Sequence, residues 1–300
     1  MVIIIIINMV NSSNNDLKFN KPIIINFRTN AKLFKVNFEL SDVISGNYPH
    51  IGVTAREGIS ILYRRINEEF YYNVDVMSRH KSFTINLGEI LPNDDFFEIL
   101  IYGPILNKLA YLDIEISNEF DFEKINTQSR KNILIGGGIH SFGVGCTSSS
   151  VMFSNILGRK NGVNITNISQ YDTNYLERLF DEYNSENLSN FDVGILELDY
   201  CNQNDDILDK YLLKVVDLFN SKCNHLIGWY TLQDEDKNKK DKINYLLSDY
   251  IKENKIIIKD LSYLYNAENL NKCTFGRNFI NDTANIYIYK ALNKIIGELI

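Results

Sequence analysis

The sequence predicts an α/β protein of two domains, an N-terminal antiparallel β-sandwich followed by a flavodoxin-like three-layer α/β/α domain with a parallel sheet. Three observations favour this fold class. Short segments rich in β-branched and aromatic residues occupy the front of the chain. From about residue 132 onward, apolar strand-like runs alternate with helix-like segments. The chain has 300 residues, of which 45% are hydrophobic, and this is enough for two ordinary domain cores.

The front half, residues 1 to 124, is predicted to be a jelly-roll-like sandwich. Turn-rich pieces such as SGNYPH and LPNDD separate its strand candidates, which is typical of antiparallel sheets. These candidates are PIIINFRT, LFKVNFEL, GISILYRR, FYYNVDV, SFTINLG, FEILIYG and LAYLDIEI.

The N-terminal run MVIIIIINMV is predicted to be a further, buried strand. Its apolar core is shorter than the roughly 20 residues that cross a bilayer, and neither a basic flank nor a small-residue cleavage site accompanies it. A processed N-terminal segment remains the alternative. We expect a cytoplasmic protein without a membrane span.

The back half, residues 132 to 300, is predicted to alternate strands and helices. The segment FEKINTQSRKN, residues 122 to 132, is interpreted as the linker that leads into it. A βαβ order implies a parallel sheet covered by helices on both faces, with ligands bound at the carboxyl ends of the strands. The strand candidates are NILIGG, VNITNIS, VGILELD, HLIGWYT and KIIIKD, and the helices are expected near 148 to 160, 173 to 187, 205 to 221, 239 to 254 and 282 to 298.

Charge and cysteine content exclude some partners. The net charge of −7 and the lack of a clustered basic surface argue against nucleic acid. The four cysteines form no CxxC pair, so we expect a reduced protein with no zinc site built from cysteines. No metal site and no cofactor are predicted. The sequence does not indicate an oligomeric state.

The stretch GGGIHSFGVGC, residues 136 to 146, follows the first strand of the back half and marks the expected site. It fits neither the dinucleotide-binding pattern G-x-G-x-x-G nor the phosphate-binding loop, which requires a lysine. A G-x-S-x-G turn also fails, because His140 and Phe142 flank Ser141.

Several blocks, taken in order, resemble the SGNH or GDSL hydrolases, in the carbohydrate-esterase-like subgroup with an N-terminal β-sandwich. In the front half, INFRTNAKLFKVNFEL, GISILYRR and EILIYGPILNKLAYLDIEI are similar to the strands of that sandwich. In the back half, SFGVGCTSSSVMFSNILGRKNGVNITNIS, DVGILELDYCNQND and KCTFGRNFINDTANIYIYKAL are similar to the nucleophile turn, the third strand with its Asn-bearing loop, and the closing helix entry. The resemblance implies ester hydrolysis by a Ser, a His and an Asp, with a backbone N–H, a Gly and an Asn holding the oxyanion.

Carried over position by position, this resemblance implies that the usual triad is replaced. The nucleophile falls on Ile139 or, with a shift of one residue, on Gly138. The catalytic Asp and His fall on Gly276 and Phe279. The oxyanion Gly is replaced by Asp172 or a neighbour, whereas Asn202 survives. Loss of a triad member costs about four orders of magnitude in rate, so conventional esterase activity is not expected.

Three residues of the turn could still carry chemistry. His140 and Ser141 could form a relocated dyad, and Cys146 could be a nucleophile if a helix beginning near Thr147 lowered its pKa. The alternative is that His140 is a turn residue or ligand contact, that Ser141 caps local backbone groups, and that Cys146 is a small residue at a helix start.

Carboxylates and one cationic loop complete the candidates. Strand alternation places Glu197 and Asp199 on the same side, where with Asp172 they could bind a cation or an amine, or act as acid and base. They could equally cap helices or pair with basic side chains. Arg277 and Asn278 could recognise a carboxylate or phosphate.

Two hypotheses follow. In the first, the protein is a degenerate SGNH-fold protein whose cleft binds an acylated small molecule, a carbohydrate or a peptide through Gly138, Ile139, Asp172, Asp199, Asn202, Arg277, Asn278 and Phe279. In the second, it is an active hydrolase or acyl transferase that uses His140 with Ser141 or Cys146.

Overall fold

The computed structural model describes residues 2–7, 25–40, 50–76, 82–86, 95–107, 109–117, 119–125, 131–172, 174–184, 190–199, 205–233, 236–275 and 279–300. The chain divides into two compact units. The first comprises Met1–Gln128 with Thr147–Ser150, and the second comprises Ser129–Cys146 with Val151–Ile300.

The first unit contains two antiparallel sheets with a shared apolar core. The sheet orders are β1-β8-β3-β6 and β5-β4-β7-β2-β9. Alternating side chains of both sheets, including Phe27, Val36 and Ile114, are fully buried in one cluster, as expected for a sandwich. The elements are β1 Val2–Ile7, β2 Ile25–Thr29, β3 Leu33–Leu40, α1 Val53–Glu57, β4 Ile59–Arg65, β5 Tyr72–Val76, β6 Ser82–Asn86, β7 Phe97–Tyr102, β8 Leu109–Ser117 and β9 Phe122–Lys124.

The predicted strands of this half are all present, including the N-terminal run, whose β1 pairs with β8. The linker interpretation of residues 122 to 132 is wrong at its start. Backbone pairing of Phe27 to Thr29 with residues 122 to 124 makes β9 the edge strand beside β2. Short strands of this kind are hard to recognise from sequence because three residues carry too little periodicity.

The second unit is a parallel sheet with the order β11-β10-β12-β13-β14, the doubly wound order of the flavodoxin-like fold. Its strands are β10 Asn132–Gly136, β11 Asn164–Asn167, β12 Phe191–Glu197, β13 Cys223–Tyr230 and β14 Ile257–Asp260, and a two-stranded ribbon pairs β15 Thr274–Phe275 with β16 Phe279–Ile280. Its helices are α2 Ile139–Phe142, α3 Phe153–Asn161, α4 Tyr175–Tyr183, α5 Asp205–Lys222, α6 Lys237–Leu246, α7 Ser248–Lys252, α8 Leu270–Cys273 and α9 Asp282–Leu299.

The five predicted strands and helices of this half are confirmed, with two adjustments. The helix expected near 148 begins only at Phe153, because a single 3-10 turn, Ser149–Val151, precedes it. The helix expected near 239 to 254 is divided into α6 and α7 around Leu247. Within the described parts of the chain, no helix is long and apolar enough to span a membrane.

Candidate functional site

The candidate site lies where three neighbouring strands of the parallel sheet end. β10 ends at Gly136 and leads into α2, β12 ends at Glu197, and β13 ends at Tyr230. Because β10, β12 and β13 are adjacent and parallel, the residues that follow them meet at one edge of the sheet. His140, Glu197, Asp199 and Thr231 are brought together in this way.

His140 lies between two carboxylates. Its Nδ1 is 3.3 Å from Oδ2 of Asp199 and 3.6 Å from Oε1 of Glu197. The three side chains are almost completely buried, with exposed fractions of 2%, 4% and 1% for His140, Asp199 and Glu197. The expectation that Glu197 and Asp199 face the same side is confirmed, and both point to the histidine that the sequence singled out.

Asp199 is held in place by the residue that follows β13. Thr231 donates from its backbone N–H to Oδ1 and from its hydroxyl to Oδ2, each at 2.7 Å. One oxygen of Asp199 is thereby fixed by the main chain, and the other is aimed at His140. Asp199 thereby fixes the orientation of the imidazole ring.

Glu197 caps the short helix α2. Its Oε2 accepts the backbone N–H of Ser141 at 2.7 Å, and its Oε1 accepts that of His140 at 3.4 Å. These N–H groups would otherwise lack partners at the start of a helix. Burial raises the pKa of Glu197, and the nearby charge of Asp199 raises it further, whereas His140 and the N–H of Ser141 act in the opposite direction.

The space that side chains of a nucleophile turn would require is filled. A Cβ at Gly137 would lie 2.4 Å from Cβ of Glu197. A Cβ at Gly138 would lie 2.8 Å from the Tyr175 ring, which is buried and whose hydroxyl donates to the backbone oxygen of Glu197 at 2.9 Å. Glu197 and Tyr175 therefore leave no room for a side chain at Gly137 or Gly138. Ile139, which begins α2, is partly buried.

Ser141 is fully buried beside Glu197. Its backbone oxygen accepts Nδ2 of Asn167 at 2.9 Å, and Oδ1 of that asparagine accepts the N–H of Ser169. Asn167, Tyr175 and Thr231 were not predicted as site residues. The one available signal was position, since Asn167 ends β11 and Thr231 follows β13 at the ligand-binding edge of the sheet.

Cys146 does not have the low pKa that a helix start at Thr147 would give. The thiol is completely buried, and burial raises its pKa well above the usual value, with the charge of Asp282 adding to the effect. Its Sγ accepts Nδ2 of Asn285 at 3.3 Å. The physical reason is burial, and the helix start expected near Thr147 is not there to lower the pKa, because α3 begins only at Phe153.

The remaining candidates are separate from the cluster or outside the described residues. Asp172 pairs with Arg178 and accepts the N–H of Asn174 at 2.8 Å, which places it at the start of α4. Asn202, Arg277 and Asn278 lie outside the described residues, as does Gly276.

Phe279, the counterpart of the catalytic His in the resemblance, lies in β16 next to the nucleophile turn. Gly145 of that turn has a φ of +93°, and its backbone packs against the backbone oxygen of Ile280. A Cβ at Gly145 would lie 1.7 Å from that oxygen. The start of β16, with Phe279 and Ile280, therefore packs against the turn at Gly145.

Comparison with known proteins identifies the fold. No protein-family model matches the sequence, and no curated protein matches it. Among solved structures, a GDSL-like lipase from Bacteroides ovatus superposes with a TM-score of 0.72 at 15% identity, covering 91% of this chain and 83% of that one. The chain has the SGNH/GDSL hydrolase fold.

Two further solved structures are similar over most of their length. A salicylyl-acyltransferase from a tetracycline biosynthetic pathway matches with a TM-score of 0.59 and 14% identity, over 91% of this chain and 81% of that chain. A family two carbohydrate esterase from Clostridium thermocellum, in complex with cellohexaose, matches with a TM-score of 0.58 and 9% identity, over 94% and 97%.

Proposed function

We propose that this SGNH-fold protein has lost conventional Ser-His-Asp esterase chemistry and binds an acylated small molecule, a carbohydrate or a peptide. The observation that carries the proposal is the Glu197 carboxylate, which occupies the N–H groups of His140 and Ser141 at the turn. The resemblance assigns oxyanion binding to the backbone N–H at the nucleophile position, Gly138 or Ile139, and a buried carboxylate at the neighbouring N–H groups of His140 and Ser141 opposes the negative charge that develops there in acyl transfer.

The positions of the missing catalytic groups support the same conclusion. No nucleophile fits at Gly138 without displacing Tyr175, and Phe279 stands where the resemblance places the general base. The similar structures include a lipase, an acyltransferase and a carbohydrate esterase, and this supports an acyl or carbohydrate ligand class.

We propose that the ligand contacts come from the sheet edge and the loops beside it, namely Gly138, Ile139, Asp172, Asp199, Asn202, Arg277, Asn278 and Phe279. The three described free cysteines are buried and unpaired with one another, which agrees with a reducing, cytoplasmic location. We propose no nucleic-acid partner, in keeping with the net charge of −7.

A second candidate function is an active hydrolase or acyl transferase with relocated groups. One contact favours it: the Nδ1 of His140 lies beside Asp199, the arrangement that orients a catalytic histidine. In this alternative, His140 would serve Ser141 or Cys146 as the base.

Covalent labelling separates the two functions. The native protein is treated with a fluorophosphonate probe for serine and with iodoacetamide for cysteine, and peptides are mapped. We expect no selective labelling of Ser141 or Cys146, and p-nitrophenyl acetate turnover equal to that of the Ser141→Ala variant. Selective labelling of either residue, with turnover lost in the matching variant, would establish the active alternative.

Binding is tested with defined probes. Thermal unfolding is followed with cellohexaose and with acetylated cellohexaose, in the wild type and in the Arg277→Ala and Phe279→Ala variants. The proposal predicts a ligand-dependent rise in Tm that the variants reduce. The Lys290→Ala variant, at an exposed site on α9, serves as the control. The same rise in all four proteins would show that the proposed residues do not form the ligand site.

A further inference from the structure

The cluster of His140, Glu197 and Asp199 offers a second possibility that does not depend on the proposed function. Each residue provides one ligand atom, and these three atoms lie within 4.8 Å of one another. They come from two strand ends, so the sheet itself sets their spacing. The donor set of one imidazole nitrogen and two carboxylate oxygens is one that divalent metal ions accept in proteins.

The separations match one geometry in particular. A tetrahedral zinc ion with bonds of about 2.0–2.2 Å holds neighbouring ligand atoms about 3.3–3.6 Å apart. The Nδ1 of His140 is 3.3 Å from Oδ2 of Asp199 and 3.6 Å from Oε1 of Glu197. Those two separations have the length of the edges of such a tetrahedron, and the ligand atoms of all three residues lie within 4.8 Å of one another.

The outer oxygens of the two carboxylate ligands are held by main-chain donors, as they are in metal sites. The second oxygen of Glu197 accepts the Ser141 N–H, and the second oxygen of Asp199 accepts the Thr231 N–H. Oε1 and Oδ2 also accept hydrogen bonds, from the His140 N–H at 3.4 Å and the Thr231 hydroxyl at 2.7 Å, and each lies within 3.6 Å of Nδ1 of His140. Partners of this kind orient metal ligands and commonly control metal affinity.

Charge also favours a cation at this point. Two carboxylates with exposed fractions of 1% and 4% are costly to bury unless positive charge compensates them. In the described part of the chain, the ion-pair partner of both carboxylates is His140, and no lysine or arginine pairs with either. A single imidazolium compensates one carboxylate, whereas a divalent ion compensates both and leaves the imidazole neutral.

We propose that His140, Glu197 and Asp199 supply three ligands of a buried site for one divalent metal ion, with zinc as the best fit. Thr231 is a positioning residue for this site. It supplies no ligand itself and holds the Asp199 carboxylate through its backbone N–H and its hydroxyl. The site would stabilise the edge of the sheet where an active SGNH enzyme would carry its nucleophile.

The test uses the full chain and zinc alone. The protein is purified without chelator and without an affinity tag, and its metal content is measured by mass spectrometry. It is then unfolded in a denaturant that contains EDTA, which removes the metal, and is refolded without metal. The refolded protein is titrated with Zn²⁺ while Tm is followed. We expect one zinc ion per chain and a rise in Tm on titration.

Matched variants assign the site. Glu197→Gln and His140→Gln are expected to lose the zinc, and Thr231→Val to weaken its binding by about 10–100-fold. His225→Gln, at an exposed histidine on β13 of the same sheet, is expected to retain it. Zinc retained by Glu197→Gln and His140→Gln would overturn the proposal.

A spectroscopic measurement covers the case in which the variants do not fold. Wild-type protein refolded with Co²⁺ should show the visible bands of a tetrahedral nitrogen and oxygen site, without charge-transfer bands from thiolates. Thiolate bands would place the metal on cysteines and overturn the proposal. A wild type that contains no metal, and whose Tm does not respond to Zn²⁺, would likewise overturn the proposal.

Discussion

The proposal that Tyr175 fills the place of a nucleophile can be tested by giving Gly138 a side chain. In the Gly138→Ala variant, the new Cβ would lie 2.8 Å from Cδ1 and 3.0 Å from Cε1 of Tyr175. The ring cannot swing away easily, because it is buried and its hydroxyl donates to the oxygen of Glu197. The φ of Gly138 is −95°, so the cost arises from packing and not from the backbone.

The magnitude follows from overpacking. Forcing a methyl group into a packed interior costs about 1–3 kcal/mol of unfolding free energy. Urea unfolding can be followed by the fluorescence of Trp229, the single tryptophan, which is buried and has its ring centroid 6.5 Å from that of His140. As a control, Gly297→Ala on α9 meets no atom within 4 Å and should stabilise the protein by about 0.5–1 kcal/mol.

A double-mutant cycle assigns the cost to the ring. The Tyr175→Val variant removes the aromatic atoms and is itself destabilised. In that background, Gly138→Ala should lose most of its cost, giving a coupling of about 1–2 kcal/mol. An equal cost in both backgrounds, or a Gly138→Ala variant as stable as the wild type, would refute the reasoning that Tyr175 fills the place of a nucleophile.

Three further predictions concern the surroundings of the site. Burial raises the pKa of the Cys146 thiol, so iodoacetamide at pH 8 should label Cys146 only after unfolding; rapid labelling of the native protein would contradict this. Asn285→Ala should cost about 2–4 kcal/mol in urea unfolding, because it leaves the buried N–H of Phe153 without its acceptor, whereas a loss below about 0.5 kcal/mol would show that the bond is unimportant. The N–H of Asn132 lowers the pKa of Asp192, so the native state binds fewer protons there and this stabilisation is lost as pH falls through the folded pKa. Asp192→Asn should therefore cost about 0.5–1.5 kcal/mol at pH 7, and the cost should shrink steadily as the pH falls below the ordinary carboxyl pKa of 3.8; a cost that does not change with pH would be inconsistent with the assignment.

The sequence by itself determined the order and type of most elements. Apolar runs such as ILIG and GILEL predict buried parallel strands because hydrophobic periodicity is a local property of the chain. It also determined that Glu197 and Asp199 share a face, since side chains alternate along an extended segment. The SGNH fold was predictable from the order of several weak blocks, although the 15% identity of the Bacteroides ovatus lipase shows how little sequence the fold requires.

The tertiary structure decided what those side chains do. Glu197 caps the turn 56 residues before it, and Asp199 is fixed by Thr231, 32 residues after it. These contacts depend on which strands lie side by side. The hydrophobic periodicity of a segment does not indicate which strands will be its neighbours in the sheet. For the same reason, the sequence could not show that Tyr175 packs against Gly138. Burial likewise made Cys146 an unreactive thiol, because the pKa of a side chain depends on the complete set of groups that surround it.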